Sequence, residues 1–306
     1  MVLVFSHQDF AGHVTPPGHP ERVERLAAVE RGLAGISVER REAPLALQAD
    51  LVRCHPAEYL ERIRCAVPDE GLVALDGDTF LSPGSLNAAL RAVGGVCTAV
   101  DAVLAGEAKT VFVAARPPGH HVETATAMGF CLFGTVAIAA KRALEVHGLH
   151  RVAVLDFDVH HGNGTQELLW NEGRVRIVSS HQMPLYPGSG AVSERGALGQ
   201  ITNLPLRTGS GGAEMRRLWA PVLAELRDWQ PELVLVSAGF DAHRDDPLAG
   251  LIWEVEDYLW ITRAICDLAD ACCAGRVVSS LEGGYDLDAL AASVAAHVSV
   301  LEERGR

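Results

Sequence analysis

The sequence has no excess of basic residues. Its 26 lysine and arginine residues are outnumbered by 39 aspartate and glutamate residues, which gives a formal net charge of −13 at pH 7. Binding to nucleic acid requires basic side chains that neutralise phosphates, so this balance argues against a nucleic-acid partner. The same charge argues against binding to an anionic membrane surface. A neutral or cationic substrate is compatible with it.

Signals for secretion or membrane insertion are also lacking. No apolar run reaches membrane-spanning length. The opening residues, MVLVFSHQDF, have neither the basic flank nor the apolar stretch of a signal peptide. The 7 cysteines have no C-x-x-C spacing, which is typical of reduced cysteines that serve as small core residues. These absences predict a cytoplasmic protein.

The chain contains enough hydrophobic residues for a large core, since they make up 48% of its 306 residues. Strand-like apolar segments alternate with amphipathic segments, including a helix predicted to start at His19-Pro20-Glu21 and another over 130–146. This alternation predicts about eight strands in a mostly parallel sheet with helices on both faces. Without a visible linker or repeat, we expect one domain over residues 1–306.

The segment 152–164, VAVLDFDVHHGNG, is the most informative stretch of the chain. Its apolar start predicts a strand buried on both faces. On a regular strand Asp156, Asp158 and His160 would point to one side, because side chains alternate. Burying such polar groups is costly, and ligands bind at the carboxyl ends of parallel strands. The segment therefore predicts a metal site.

Three other predicted strands end in polar turns, at 116–121 (RPPGHH), 237–247 (SAGFDAHRDDP) and 281–285 (LEGGY). Carboxyl ends of parallel strands share one edge, so these turns should meet the segment 152–164. Each turn alone has a structural interpretation, as a histidine turn, a capping aspartate or a packed tyrosine. Their predicted convergence is what indicates function. By contrast, we expect His161 to be structural and 243–245 to be a solvated loop.

Together the segments RPPGHH, DFDVHHGNGTQE, SAGFDAHRDDPLAG and LEGGYD resemble the signatures of the zinc-dependent histone deacetylase superfamily. This superfamily includes bacterial deacetylase-like amidohydrolases and acetylpolyamine amidohydrolases. The resemblance extends in order from His19 to Tyr285, which is most of the chain. It implies the arginase–deacetylase fold, a single α/β domain with an eight-stranded parallel sheet.

The resemblance implies two cation sites. Asp158, His160 and Asp241 would bind one zinc ion and leave an open position, as in catalytic zinc sites. These ligands do not by themselves exclude iron or cobalt. A structural potassium ion would lie nearby, held by the backbones of Asp158 and His160 and by Asp156, Ser179 and Ser180.

The resemblance also implies catalytic and substrate-binding residues. His121 would act as general base and then as acid, and Tyr285 would donate to the oxyanion. Asp156 would orient His120, and Asn163 would accompany His121 in place of the aspartate of some relatives. The walls of the acyl tunnel would be formed by Gly129, Phe130, Tyr186 and Leu248.

These positions predict a zinc-dependent enzyme that deacylates lysine side chains. Leu248 stands where a polyamine-selective branch has glutamate, which favours acyl-lysine protein or peptide over an acylated small amine. Acetylpolyamine hydrolysis stays open, because the loop 76–79 offers carboxylates near the predicted mouth. A non-catalytic module that binds acylated ligands is a further alternative. A two-metal, arginase-like site is disfavoured because a second full ligand set is not visible. Oligomeric state cannot be read from the sequence.

Overall fold

A single large parallel sheet organises the computed structural model, which describes residues 2–306. Its strands, together with a small hairpin, are β1 (Val2–Ser6), β2 (Val38–Glu42), β3 (Val73–Ala74), β4 (Phe80–Leu81), β5 (Thr110–Val113), β6 (Val152–Asp156), β7 (Val175–Gln182), β8 (Ile201–Leu206), β9 (Leu233–Ala238) and β10 (Val277–Leu281). Eight of them form the sheet in the order β2-β1-β5-β10-β9-β6-β7-β8. Every pairing in this sheet is parallel, while β3 and β4 form the antiparallel hairpin.

Helices cover both faces of the sheet. They are α1 (Glu24–Leu33), α2 (Gln48–Leu51), α3 (Ala57–Ala66), α4 (Ser85–Leu104), α5 (Thr135–Glu145), α6 (Asn163–Leu168), α7 (Gly212–Trp229), α8 (Val255–Cys272) and α9 (Leu287–Arg304), with a 3₁₀ turn at Gln8–Gly12. Val2 and Val4 of β1 pack in the core shared with α1, α7, α8 and α9. Leu3 and Phe5 pack in the opposite core, with α4 and α5. The central strands β5, β6, β9 and β10 are therefore buried at every position, as expected for a sheet covered on both sides.

The predicted α/β domain with an eight-stranded parallel sheet is confirmed. Strands β8 and β10 have the predicted bounds. Two helix predictions are wrong at their starts, because α1 begins at Glu24 and α5 at Thr135. The residues before each helix are irregular and contribute to the candidate site described below.

Helix α4 is long and apolar enough, by length and composition alone, to cross a membrane. However, 67% of its apolar window is buried inside the protein. Its residues Ala92 and Val96 pack against the sheet. In this structure, helix α4 is therefore a core helix of the domain.

Candidate active site

The four polar turns follow four neighbouring strands at the centre of the sheet. In the order β5-β10-β9-β6, each strand is hydrogen-bonded to the next. The turns begin after Val113, Asp156, Ala238 and Leu281, at the same edge. The predicted convergence of these turns is thereby confirmed, and a cluster of buried polar side chains lies where they meet.

A potential metal-binding triad lies at the centre of this cluster. His160 Nδ1 is 3.1 Å from Asp158 Oδ1 and 3.2 Å from Asp241 Oδ2. Each side chain offers one ligand atom, and the three atoms lie within 4.8 Å of one another. Asp241 Oδ2 is buried without a hydrogen bond of acceptable geometry within the described chain. Two carboxylates, one imidazole and an unsatisfied buried oxygen fit a divalent cation.

Backbone amides fix the triad in place. Asp158 Oδ2 accepts a hydrogen bond from the amide of Gly283 at 2.9 Å, and Asp241 Oδ1 accepts one from Val159 at 2.8 Å. Glycine is required close to these carboxylates. A Cβ atom on Gly239 would lie 2.1 Å from Asp158 Oδ2, and one on Gly283 would lie 2.0 Å from Asp241 Oδ2. The glycines therefore leave the space that the triad needs.

The expected origin of this geometry needs one correction. Strand β6 ends at Asp156, so Asp158 and His160 do not lie on a regular strand. They belong to the turn that follows, in which Asp156 Oδ1 accepts from the amide of Asp158 at 3.0 Å. Asp158 Oδ1 accepts in turn from the amide of His160 at 2.8 Å. Carboxylates that bind successive amides, and not strand alternation, bring these side chains together.

His120 and His121 are adjacent in space but have different partners. Their rings lie 4.0 Å apart. His120 Nδ1 is 3.0 Å from Asp156 Oδ2, and His121 Nδ1 is 2.9 Å from Asn163 Oδ1. Burial alone would lower the pKa of His120, but the charges of Asp158 and Asp156 raise it well above the usual value.

The pKa of His121 is shifted in the opposite direction. Burial lowers it well below the usual value, and the neighbouring His120 and His160 add to this effect. The amide partner, Asn163, supplies no negative charge to oppose it. In addition, Asn163 Nδ2 donates to Glu123 Oε1 at 2.9 Å, which fixes Oδ1 as the atom facing His121. His121 Nδ1 is then the donor, so Nε2 carries the free lone pair.

A cavity of about 320 Å³ reaches His160 of the triad. Its walls are largely aromatic or aliphatic and are formed by His19, Pro20, Asp78, His121, Gly129, Phe130, His160, Leu185, Tyr186, Leu248 and Tyr285. The Tyr186 ring lies 5.1 Å from the His121 ring, and the Phe130 ring lies 5.8 Å from that of Tyr285. All four predicted tunnel residues thus line one cavity, with Tyr285 beside them.

Several lining residues were not predicted as such. His19 packs its ring 4.7 Å from that of Phe130, although it was marked only as the start of a helix and of the family resemblance. Leu185 carried no sequence signal beyond its position next to Tyr186. Asp78 lines the cavity, as the prediction of carboxylates near the mouth requires.

A buried charge cluster (Glu21, Arg25 and Arg116) supports the site. Arg116 Nε and Nη2 donate to the two oxygens of Glu21 at 2.5 and 2.8 Å. Arg25 Nε donates to the Gly284 carbonyl at 2.7 Å, and its guanidinium lies 5.0 Å from the centre of the Tyr285 ring. In the sequence, these three residues were marked only as charged residues inside segments that resemble the family signatures.

The residues proposed for potassium lie on adjacent strands. Asp156 is paired with Ser179 in the register of β6 and β7. Ser180 Oγ is buried without a hydrogen-bond partner among residues 2–306. Ser179 Oγ, however, hydrogen-bonds to His181 Nδ1 at 3.0 Å. A potassium ion at this position stays a prediction.

Two expectations for surrounding histidines have different outcomes. His161 is held by Ser189 Oγ at 2.8 Å and by Gln166 Oε1 at 3.1 Å and does not line the cavity, which agrees with a structural role. The prediction that His243 belongs to a solvated loop is wrong, since its side chain is buried. Of residues 243–245, Arg244 and Asp245 are the exposed ones.

Comparison with known proteins identifies the family. The model of the histone deacetylase domain matches residues 19–301, so the chain belongs to the histone deacetylase family. It is 41% identical over 280 residues to the histone deacetylase-like amidohydrolase of Pseudomonas aeruginosa, covering 90% of this chain and 73% of that protein. It is also 41% identical over 302 residues to an uncharacterized Synechocystis protein, covering 96% and 97% of the two chains.

A solved structure supports the same assignment. The crystal structure of the HDA15 HD domain has a TM-score of 0.93 and 31% identity, and the match covers 99% of this chain and 90% of that one. The protein therefore has the deacetylase fold. Its family is that of deacetylases and amidohydrolases, which are hydrolases.

Proposed function

We propose that the protein is a zinc-dependent amidohydrolase that removes acetyl or related short acyl groups from lysine side chains. The observation that supports it most is a buried Asp-His-Asp triad whose His160 lines one cavity together with His121 and Tyr285. Asp158, His160 and Asp241 would hold the zinc. When bound, the metal would supply Lewis acidity to the substrate carbonyl and to the attacking water.

The proton transfers are assigned to His121. Its pKa lies well below the usual value, so the neutral ring is available to accept a proton. Its Nδ1 donates to Asn163, which leaves Nε2 to take a proton from water and return it to the leaving amine. His120, whose pKa is raised beside Asp156, would add positive charge next to the developing oxyanion.

Tyr285 is assigned to the carbonyl oxygen. Its ring lines the cavity between Phe130 and the Arg25 guanidinium. A hydroxyl placed to donate to the developing oxyanion contributes about 3–4 kcal/mol in comparable sites. All the groups required for amide hydrolysis are therefore present, which argues against a non-catalytic binding module.

The walls of the cavity favour an acyl-lysine substrate. Phe130, Tyr186, Leu185 and Leu248 enclose an apolar passage in which each methylene of a lysine stem would gain about 0.8 kcal/mol on burial. An acylated polyamine is the second candidate. It is supported by Asp78, whose carboxylate lies on the cavity wall. Burial raises the pKa of Asp78, and the negative charge of the neighbouring Asp76 raises it further.

Steady-state kinetics on the zinc-loaded protein tests this proposal. We expect kcat/KM for an acetyl-lysine peptide to exceed that for acetylspermidine by about tenfold or more. The reverse order would assign the enzyme to polyamines. Absence of turnover with both, and with longer acyl-lysines, would leave only the binding module.

Two further parts of the proposal concern the wider setting. A potassium ion is proposed beside Asp156, Ser179 and Ser180, supported by the unpartnered Ser180 Oγ. A cytoplasmic location is proposed from the free state of all seven cysteines, Cys54, Cys65, Cys97, Cys131, Cys266, Cys272 and Cys273.

A further inference from the structure

Asp246 is a buried carboxylate that has no part in the chemistry described above. It lies in the same loop as Asp241 and is 6% exposed. The cation beside it in sequence, Arg244, has another partner, since its Nε lies 2.6 Å from Glu254 Oε1. Among residues 2–306 Asp246 has no cationic partner within ion-pair distance. A buried carboxylate without such a partner is unfavourable for folding, so its presence calls for another explanation.

The two oxygens of Asp246 connect two separate loops of the site. Oδ1 accepts a hydrogen bond from the amide of Leu248 at 3.0 Å. Oδ2 accepts one from the amide of Tyr285 at 2.8 Å. Leu248 and Tyr285 both line the cavity. One carboxylate therefore links a substrate-contacting wall to the tyrosine assigned to the carbonyl oxygen.

Asp246 binds the one backbone amide that belongs to Tyr285 itself. Tyr285 follows Gly283 and Gly284, and Gly284 has a φ of +122°, a conformation that side-chain-bearing residues rarely adopt. After Tyr285 comes Asp286, whose side chain accepts from the amides at the start of α9. Tyr285 thus lies between two glycines, whose backbones are bound by Asp158 and Arg25, and a capped helix, and its own amide is bound by Asp246.

We propose that Asp246 is a positioning residue that fixes the backbone of Tyr285 so that its hydroxyl meets the substrate carbonyl. This inference rests on the proposed function. Asp246 does not line the cavity, so it acts through Tyr285 and not on the substrate. A displacement of about 1 Å of a catalytic group is enough to reduce turnover strongly.

A double-mutant cycle with kinetics on the zinc-loaded protein tests the proposal. Asp246→Asn retains an oxygen for one amide but places an NH₂ group against the other. We expect kcat to fall about tenfold or more, with KM within about threefold of wild type. The matched control is Asp245→Asn, which changes an exposed neighbour and should leave kcat within about twofold of wild type. Zinc content should stay at one per chain in both variants.

The effect of Asp246→Asn should disappear when the tyrosine hydroxyl is already absent. In a Tyr285→Phe background, adding Asp246→Asn should change kcat by less than about twofold. An equal loss of kcat in both backgrounds would overturn the proposal, because Asp246 would then act independently of that hydroxyl. Should Asp246→Asn not fold, Asp246→Glu, which keeps two acceptor oxygens on a longer stem, carries the same comparison.

Crystal structures of wild type and Asp246→Asn separate this inference from the proposed function. We expect the Tyr285 backbone to move by about 1 Å or more in the variant. An unmoved Tyr285 overturns the inference even if the enzyme deacylates lysine. If Tyr285 moves in the variant but the wild-type protein shows no turnover, Asp246 does position Tyr285 and the proposed reaction is refuted.

Discussion

Replacing Glu21 with glutamine should destabilise the protein far more than a surface substitution of the same kind. All three members of the buried charge cluster have side chains that are 0% exposed. Glutamine would keep one acceptor oxygen, but it would place an NH₂ group against a guanidinium and leave two buried cations uncompensated. Breaking a buried ion pair in this way costs about 3–5 kcal/mol. We expect the free energy of unfolding to fall by that amount.

The effect should be independent of pH near neutrality. Burial alone would raise the pKa of Glu21, but Arg116, His13 and Arg25 hold it well below its usual range. A carboxylate with a lowered folded-state pKa contributes its full stabilisation above its unfolded-state pKa. The contribution of Glu21 declines once the pH falls below the unfolded-state pKa, and it is lost completely only below the folded-state pKa. The difference between wild type and Glu21→Gln should therefore be constant from about pH 6 to 8 and shrink below about pH 4.

Urea unfolding followed by circular dichroism measures this difference. Glu30→Gln is the matched control, because Glu30 pairs with Arg40 at 2.7 Å while both side chains are about half exposed. That exposed pair should contribute less than about 1 kcal/mol. If Glu21→Gln costs no more than Glu30→Gln, the assignment of a stabilising role to the buried charge cluster is refuted.

Two further predictions concern the metal and the substrate. Asp241→Ala removes a triad member, so we expect loss of zinc, measured by metal analysis, together with loss of amide hydrolysis; wild-type activity in this variant would refute the ligand assignment. Leu248→Glu places a negative charge on the cavity wall. It should shift the ratio of kcat/KM values toward acetylspermidine by about tenfold, whereas an unchanged ratio would show that this wall does not select the substrate.

The sheet and the location of the site were predictable from sequence for a physical reason. A strand buried on both faces is apolar over most of its length, so β6, β9 and the start of β10 stand out, and the polar residues that follow them mark the edge of the sheet. Asp241 and Tyr285 carry little signal alone. They became candidates only because parallel strands end at a common edge.

The details that sequence missed depend on contacts between distant segments. Glu21 was predicted to start a helix, but its carboxylate is bound to Arg116, far away along the chain. Asp246 gave no signal because its partner, the amide of Tyr285, is a backbone group that any residue provides. His243 was predicted as exposed because its neighbours are charged, and local composition does not reveal which side chain turns inward.

The position of β10 makes assembly of the site a late event. This strand is the last of the sheet in chain order, yet it lies between β5 and β9 at the centre. A nascent chain that ended before Val277 would leave those two strands without their common neighbour. It would also lack the Gly283 amide that binds Asp158. Retention of a divalent ion by the triad would therefore report that the chain has been synthesised and folded through Gly283, and an amino-terminal fragment that ends before Val277 should not retain it.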